Sequence, residues 1–256
     1  MTQKQKIIRN GLYMFWAIMK HRKKKIILFQ KYYLPGFKGG GPIRSTANLI
    51  DVIHDEFETY VFCLNRDLGS KKQYNKKDML NYSNNGVIYF KNNIFLIFKI
   101  LFKIFQIKPN ILYLNSFFDF HFSIIPNLFF YKSKKIKVIL SPRGEFNSSA
   151  LSEKKNKKKF YFLISKYFNF YKNTNWFFTN EEEKINLINS SIFFNNKYEI
   201  MQNIPFNNKK YVDLKNYKKN KNKLKILFVG RIAKMKNLIF CLDILSKINF
   251  NFIFDI

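Results

Sequence analysis

A short apolar run, Ile26-Ile-Leu-Phe29, leads to Gly36, Gly39, Gly40 and Gly41, and a helix-compatible segment, Ile43 to Ile53, follows. Strand, glycine loop and helix start, in that order, bring backbone N–H groups close to a phosphate or a sugar seated above the strand. The layout returns at Leu224-Lys-Ile-Leu-Phe-Val-Gly-Arg231, followed by Ile-Ala-Lys-Met-Lys236. Two such starts in one chain point to two nucleotide-fold units with a cleft between them.

The intervening chain keeps the same grammar. Strand-length apolar runs occur at Thr59–Leu64, Val87–Phe90, Ile111–Ser116, Lys137–Leu140, Trp176–Thr179 and Tyr198–Met201. Helices are expected at Ile94–Ile107, Phe122–Tyr131, Lys154–Tyr171 and Glu181–Ile188. Within 94–107, Lys99, Lys103 and Gln106 form one polar stripe, which marks a surface helix and not a membrane span. Within 154–171, the apolar residues Phe160, Leu163, Ile164, Tyr167, Phe168 and Tyr171 read as a core-facing stripe with solvated lysines opposite. Residues 70–86 read as a loop. Glu181, Glu182 and Glu183 suit the positive end of a helix dipole.

The class is α/β. Residues 26–206 form an N-terminal Rossmann-like domain on a parallel sheet. Residues 207–223 are polar and lysine-rich without apolar period, and read as a linker. Residues 224–256 begin a second Rossmann-like domain. A unit of about 33 residues buries too little surface to be stable alone, so the sequence reads as interrupted.

The chain of 256 residues is 47% hydrophobic, so it can bury a core. Its formal charge of +30 implies an anionic partner. A second source of that charge stays open: the abundance of Lys, Asn, Ile, Phe and Tyr also fits A/T-rich coding. No zinc-finger spacing or RNP-type aromatic motif accompanies the charge, so nucleic acid is not the expected partner. Cys63 and Cys241 stand alone, which excludes a disulfide framework and fits a reducing cytoplasm. His21, His54 and His121 do not cluster at ligand spacing, so no bound metal is expected.

Residues 1–25 carry Lys4, Lys6 and Arg9, an apolar run from Leu12 to Met19, and then Lys20-His-Arg-Lys-Lys-Lys25. The run is too short to span a bilayer and is followed by no small-residue cleavage site. Two readings stand: an interfacial helix with Phe15 and Trp16 in lipid, or residues upstream of a true start at Met14 or Met19.

Taken together, Tyr32-Tyr-Leu-Pro-Gly-Phe-Lys-Gly-Gly-Gly-Pro-Ile-Arg-Ser45, Leu140-Ser-Pro-Arg-Gly144, Thr179 through Glu183, and Phe228-Val-Gly-Arg-Ile-Ala-Lys-Met-Lys-Asn237 resemble, in order, the bacterial family 4 glycosyltransferases of the surface-polysaccharide or lipopolysaccharide type. The resemblance runs from about residue 26 to the end. It implies a GT-B fold and transfer of a sugar, with retention, from a nucleotide-sugar to a glycan or lipid-linked acceptor. It implies no cofactor and no metal. It places the enzyme in the cytoplasm, peripheral at the anionic inner face of the plasma membrane.

It also implies roles. Arg231 and Lys236 match the pair that contacts the donor phosphates, where negative charge grows in the transition state. Gly39, Gly40 and Gly41 match the loop that approaches the diphosphate and sugar from the other domain. Arg44, Asn115 and Ser116 are candidates to line the cleft on the acceptor side. Arg143 stands where many members carry a histidine near the sugar. Arginine stays protonated and cannot act as a base, so its expected role is electrostatic. The family's E-x7-E segment lies beyond the equivalent of Ile256, so little transfer activity is expected of the chain as given. The alternative is an inactive remnant that serves as a membrane- or partner-binding module.

Overall fold

The computed structural model describes residues 23–152, 155–190, 197–204, 224–230, 232 and 236–256. Residues 1–22, the whole of the expected linker 207–223, and Arg231 lie outside the described residues.

Seven strands form one sheet: β1 (Lys24–Phe29), β2 (Phe57–Leu64), β3 (Val87–Phe90), β4 (Ile111–Leu114), β5 (Lys137–Leu140), β6 (Asn175–Phe178) and β7 (Tyr198–Ile200). Every pairing is parallel, in the order β3-β2-β1-β4-β5-β6-β7. The sequence explains the parallelism, because the central strands are apolar at successive positions and so need cover on both faces. In β1, Ile27 and Phe29 enter one core cluster, while Ile26 and Leu28 enter another on the opposite face.

Helix α1 (Gly41–Ile53) covers the Ile26 and Leu28 face with Leu49, Ile50 and Ile53. Pro42 stands in its first turn, where a missing N–H costs nothing. The short α2 (Lys76–Ser83) joins that side through Tyr82. The opposite face carries α3 (Leu96–Ile107), α4 (Ile125–Phe130), α5 (Ser148–Ser152), α6 (Lys155–Tyr167) and α7 (Glu181–Asn189). Leu96, Ile100, Ile104 and Ile107 form the buried stripe of α3, as helical period requires. A π-helical turn, Phe120–Ile124, precedes α4. Under the end of β4, the fully buried Phe117 ring meets Phe146 at 4.8 Å and Tyr171 at 4.9 Å.

A separate parallel pair, β8 (Leu224–Leu227) and β9 (Phe252–Asp255), is linked through α8 (Leu238–Leu245). This is the β-α-β start expected at the second glycine motif.

Two readings need correction. Residues 70–86 are not all loop, because α2 forms where the Asn75 side chain accepts the Asp78 N–H at 2.7 Å. That helix has no buried residue, so no apolar period announced it. The stripe of α6 is not core-facing throughout. Phe160, Leu163 and Tyr167 are exposed, and Tyr161 and Phe162 pack on the core instead.

The orientation of α3 is directly testable. Ile104→Ala should lower the unfolding free energy by about 2–5 kcal/mol, since it empties a buried site. Phe102→Ala, on the exposed face, should change it by less than about 0.5 kcal/mol. Urea titrations followed by circular dichroism would show both.

Candidate functional site

All seven strands run the same way, so their C-terminal ends share one edge of the sheet. Between β1 and β4 the strand order reverses, and the loops there part to leave a crevice. It has two lobes. One, of about 450 Å³, is lined by residues that include Gly41, Arg44, Asn48, Arg143, Thr179 and Asn203. The other, of about 270 Å³, is lined by residues that include Gln30, Lys31, Gly39, Asn115, Ser116 and Arg143. Pro42 and Arg143 line both.

The glycine loop opens the crevice to backbone. Gly40 is the N-cap of α1 at φ 73°, in the left-handed region that other residues reach only with strain. A side chain on Gly41 would meet open space, so the first turn of α1 is accessible from the larger lobe. The positive end of the α1 dipole therefore faces the crevice.

Arg143 is the central side chain. It sits in the turn after β5 at φ 55°, followed by Gly144 at φ 76°. A left-handed arginine costs about 1–3 kcal/mol, so its surroundings must hold it there. Nε donates to Asn115 Oδ1, one terminal nitrogen donates to Asn203 Oδ1, and the other donates to the Tyr113 hydroxyl at 3.1 Å. Every one of these acceptors is neutral. Neither Arg143 nor Arg44 has a carboxylate partner among the described residues. Three of the five guanidinium N–H groups are committed, so two remain for a ligand.

Behind Arg143 a polar relay ties the strand ends to α1. Asn115 donates to Gln30 Oε1 and to Thr46 Oγ1, the latter at 3.0 Å. Thr46 also donates to Gln30 Oε1 at 3.3 Å. Asn48 donates to the Ile204 carbonyl at 2.7 Å and holds the segment after β7 against α1.

Three carboxylates brace the loops, Asp67 and Glu183 buried and Glu145 half-buried. Glu183 accepts the Gly144 N–H through one oxygen, and through the other the Thr179 N–H at 2.7 Å and the Thr179 hydroxyl at 2.9 Å. Glu145 accepts the Ser116 hydroxyl at 2.7 Å, the Phe117 N–H at 2.5 Å and the Phe118 N–H at 3.0 Å. Asp67 Oδ2 accepts the Phe37 and Lys38 N–H groups at 2.9 and 3.1 Å, which pins the chain entering the glycine loop. At the rim, Lys31 pairs with Asp119 at 2.8 Å.

Burial pushes the Glu145 carboxyl above its ordinary value, against the pull of the Ser116, Phe118 and Phe117 donors. Asp67 goes the other way: burial works upward, but the Lys38, Phe37 and Leu68 backbone donors outweigh it and hold the carboxyl below the usual range.

The crevice gathers Gly39, Gly41, Arg44, Asn115, Ser116 and Arg143, with Gly40 capping the helix between its lobes. Lys236 is exposed, beside Gly230 after β8, and no described residue of 224–256 lines either lobe. Sequence reasoning missed Gln30, Thr46, Tyr113, Asp67 and Glu145, which act through contacts far apart in the chain. Glu183 did carry a signal. Asn180 accepts the Glu183 N–H at 2.8 Å, the spacing of a capping box.

No family model matches the chain, and no curated protein matches it. Among solved structures, it is similar to a glycosyltransferase from Rickettsia africae ESF-5, with a TM-score of 0.51 at 13% identity. The fold is glycosyltransferase-like. The likeness covers 91% of this chain and 60% of that structure, so the chain spans less than two thirds of that protein's length. At this identity the fold alone is shared.

Two substitutions probe the braces. Glu183→Gln turns an amide NH₂ toward N–H donors and should cost about 1–3 kcal/mol of stability in urea titrations. For Glu145, the folded carboxyl titrates above the unfolded one, so its contribution is fullest below the unfolded value and is lost as pH rises through the folded value. Relative to Glu145→Gln, the parent chain should therefore lose stability as pH rises from the ordinary value of 4.5 toward neutrality. A rising difference would contradict this.

Proposed function

We propose that this chain is a retaining glycosyltransferase of the family 4 type. It moves a sugar from a nucleotide-sugar to a glycan or lipid-linked acceptor in cell-surface polysaccharide synthesis, at the cytoplasmic face of the plasma membrane. The observation that carries the reading is the crevice at the switch point, where Arg44 and Arg143, without carboxylate partners among the described residues, line the lobe onto which the first turn of α1 opens. The glycosyltransferase-like fold supports it.

The chemistry fits the residue types. A departing nucleoside diphosphate gathers negative charge, and donors already in place where that charge develops lower the barrier. In this reading Arg143 offers its free N–H groups to the phosphate oxygens or to an anionic acceptor, and Arg44 adds a second charge. The backbone of Gly39, Gly40 and Gly41 approaches the diphosphate from the same side. Arg231 and Lys236, from residues 224–256, grip the phosphates from the donor side, with residues 26–206 on the acceptor side and 207–223 joining them. Asn115 and Ser116 line the acceptor side. With arginine and lysine meeting the charge, the reaction calls for no metal and no other cofactor.

Titration calorimetry with inorganic pyrophosphate, paired with a transfer assay over a panel of nucleotide-sugars, tests the proposal. Pyrophosphate should bind, and Arg143→Ala should weaken it about tenfold or more, since charged hydrogen bonds contribute roughly 1.5–3 kcal/mol each. Arg143→Lys should recover only part of the loss, because a point charge does not replace the fork. Absence of pyrophosphate binding, or binding indifferent to Arg143, would overturn the reading. Binding without transfer to any acceptor would favour a binding module.

A further inference from the structure

Beneath the crevice three uncharged polar side chains are buried together. Gln30, Thr46 and Asn115 are 7, 1 and 8% exposed, at positions where an apolar side chain would avoid the cost of taking polar atoms out of water. They come from three separate places: just after β1, the middle of α1 and just after β4. The sheet fixes the backbone of two of them. The Gln30 N–H donates to the Phe62 carbonyl at 3.0 Å, and the Asn115 N–H donates to the Phe29 carbonyl at 3.3 Å. Taken singly, each side chain can bond in two senses, because an amide has donors at one end and an acceptor at the other, and a hydroxyl is both. The groups at the ends of the chain that they form decide the sense.

One end is Arg143. A guanidinium only donates, so its Nε–H requires Asn115 Oδ1 and not the amide NH₂. Asn115 Nδ2 must then turn inward, where its two N–H groups meet Gln30 Oε1 and, at 3.0 Å, Thr46 Oγ1. Gln30 must therefore present its oxygen, and the Thr46 hydroxyl donates to that same oxygen at 3.3 Å. The Gln30 amide nitrogen is left to face the other way, and it donates to the Tyr32 carbonyl at 3.2 Å. A backbone carbonyl only accepts. The relay thus runs from a pure donor to a pure acceptor, and only one sense satisfies every group in it. Tyr32 lies in the segment that runs into the glycine loop, so the backbone before that loop and the Arg143 fork stand at opposite ends of one polarised chain.

We propose that Gln30 and Thr46 are positioning residues that fix the Arg143 fork. Neither carries charge, and both act through Asn115. By holding the two N–H groups of its amide, they keep its oxygen turned to Arg143 Nε. An Asn115 amide free to reverse would set N–H against N–H, and the guanidinium would lose a bond that defines its plane. The Asn203 acceptor is exposed and its bond competes with water, whereas the Asn115 bond is backed by buried partners. Such a network is worth most when every member is satisfied, and removing one hydroxyl from it unsettles the rest. The consequence for ligand binding rests on the proposed function, in which Arg143 meets an anion. The orientation of the fork does not.

Thr46 offers the deciding exchange. Thr46→Val keeps the shape and removes the hydroxyl, while Thr46→Ser keeps the hydroxyl and removes a methyl group. A packing role makes serine the worse replacement, and the relay makes valine the worse. Gln30→Met removes the amide and nearly keeps the length, and it serves if circular dichroism shows the valine variant unfolded. The first readout needs no ligand. The Arg143 Nε–H signal in proton–nitrogen NMR, identified by its loss in Arg143→Lys, should exchange with water about tenfold faster in Thr46→Val and Gln30→Met, and as in the parent in Thr46→Ser. The second is titration calorimetry with inorganic pyrophosphate. Thr46→Val and Gln30→Met should bind about fivefold or more weakly, Thr46→Ser within about twofold of the parent, and none of the three should weaken binding further once Arg143→Ala is in place. An Nε–H signal unmoved in valine and methionine variants would overturn the proposal, as would a serine variant no better than valine, or a loss of affinity that persists without Arg143. If the parent binds no pyrophosphate, the anion reading of the crevice fails, and the exchange rates alone uphold or overturn the relay.

Discussion

Everything in the larger unit follows from seven strands that all point one way. Parallel strands need both faces covered, so each strand must be followed by a crossover, and each loop leaving a C-terminal end lies on the same edge. The reversal of order between β1 and β4 leaves those loops no single side to fold toward. The crevice is a consequence of winding direction before it is a consequence of any side chain. The residues that line it come from the ends of β1, β4, β5, β6 and β7 and from the start of α1.

Winding alone does not hold loops still. In a chain with 46 basic and only 16 acidic residues, three of the acids, two buried and one half-buried, are spent on backbone N–H groups at this edge. Asp67 secures the entry to the glycine loop, Glu145 ties the loop after β5 to the turn after β4, and Glu183 ties the β5 turn to the start of α7. None of the three neutralises Arg143 or Arg44. Negative charge braces the frame while positive charge faces the opening, and the pattern is selective for anions.

Much of this was legible in the sequence, and the parts that were not share a cause. Strands were readable because apolar residues such as Ile26 to Phe29 run without alternation over a short length and stop at turn residues, the pattern of a strand buried on both sides. Asn115 and Ser116 could be named because they end an apolar run, and Gly39 and Gly41 because they sit between a strand and a helix start, where winding brings chain ends together; Arg44 and Arg143 were named through the resemblance. Glu145 and Asp67 could not, because the donors they brace lie about thirty positions away in the chain and are mostly backbone N–H groups, which carry no residue signature. Helix α2 was hidden by its lack of a buried face. Helix α6 was misread for a subtler reason: its apolar residues fall on more than one side, so spacing showed that a stripe existed without showing which stripe the core took.

The left-handed backbone at position 143 has a consequence for how this chain can vary. Histidine and asparagine enter that region of conformational space more readily than most residues, and β-branched residues hardly at all. The turn after β5 therefore filters its occupant by shape before chemistry is consulted. Valine, isoleucine and threonine are barred whatever the ligand, while exchange between a permanently charged fork and a titratable ring leaves the main chain undisturbed. Over evolutionary time, such a site can change its electrostatics in a single step without rebuilding the scaffold beneath it.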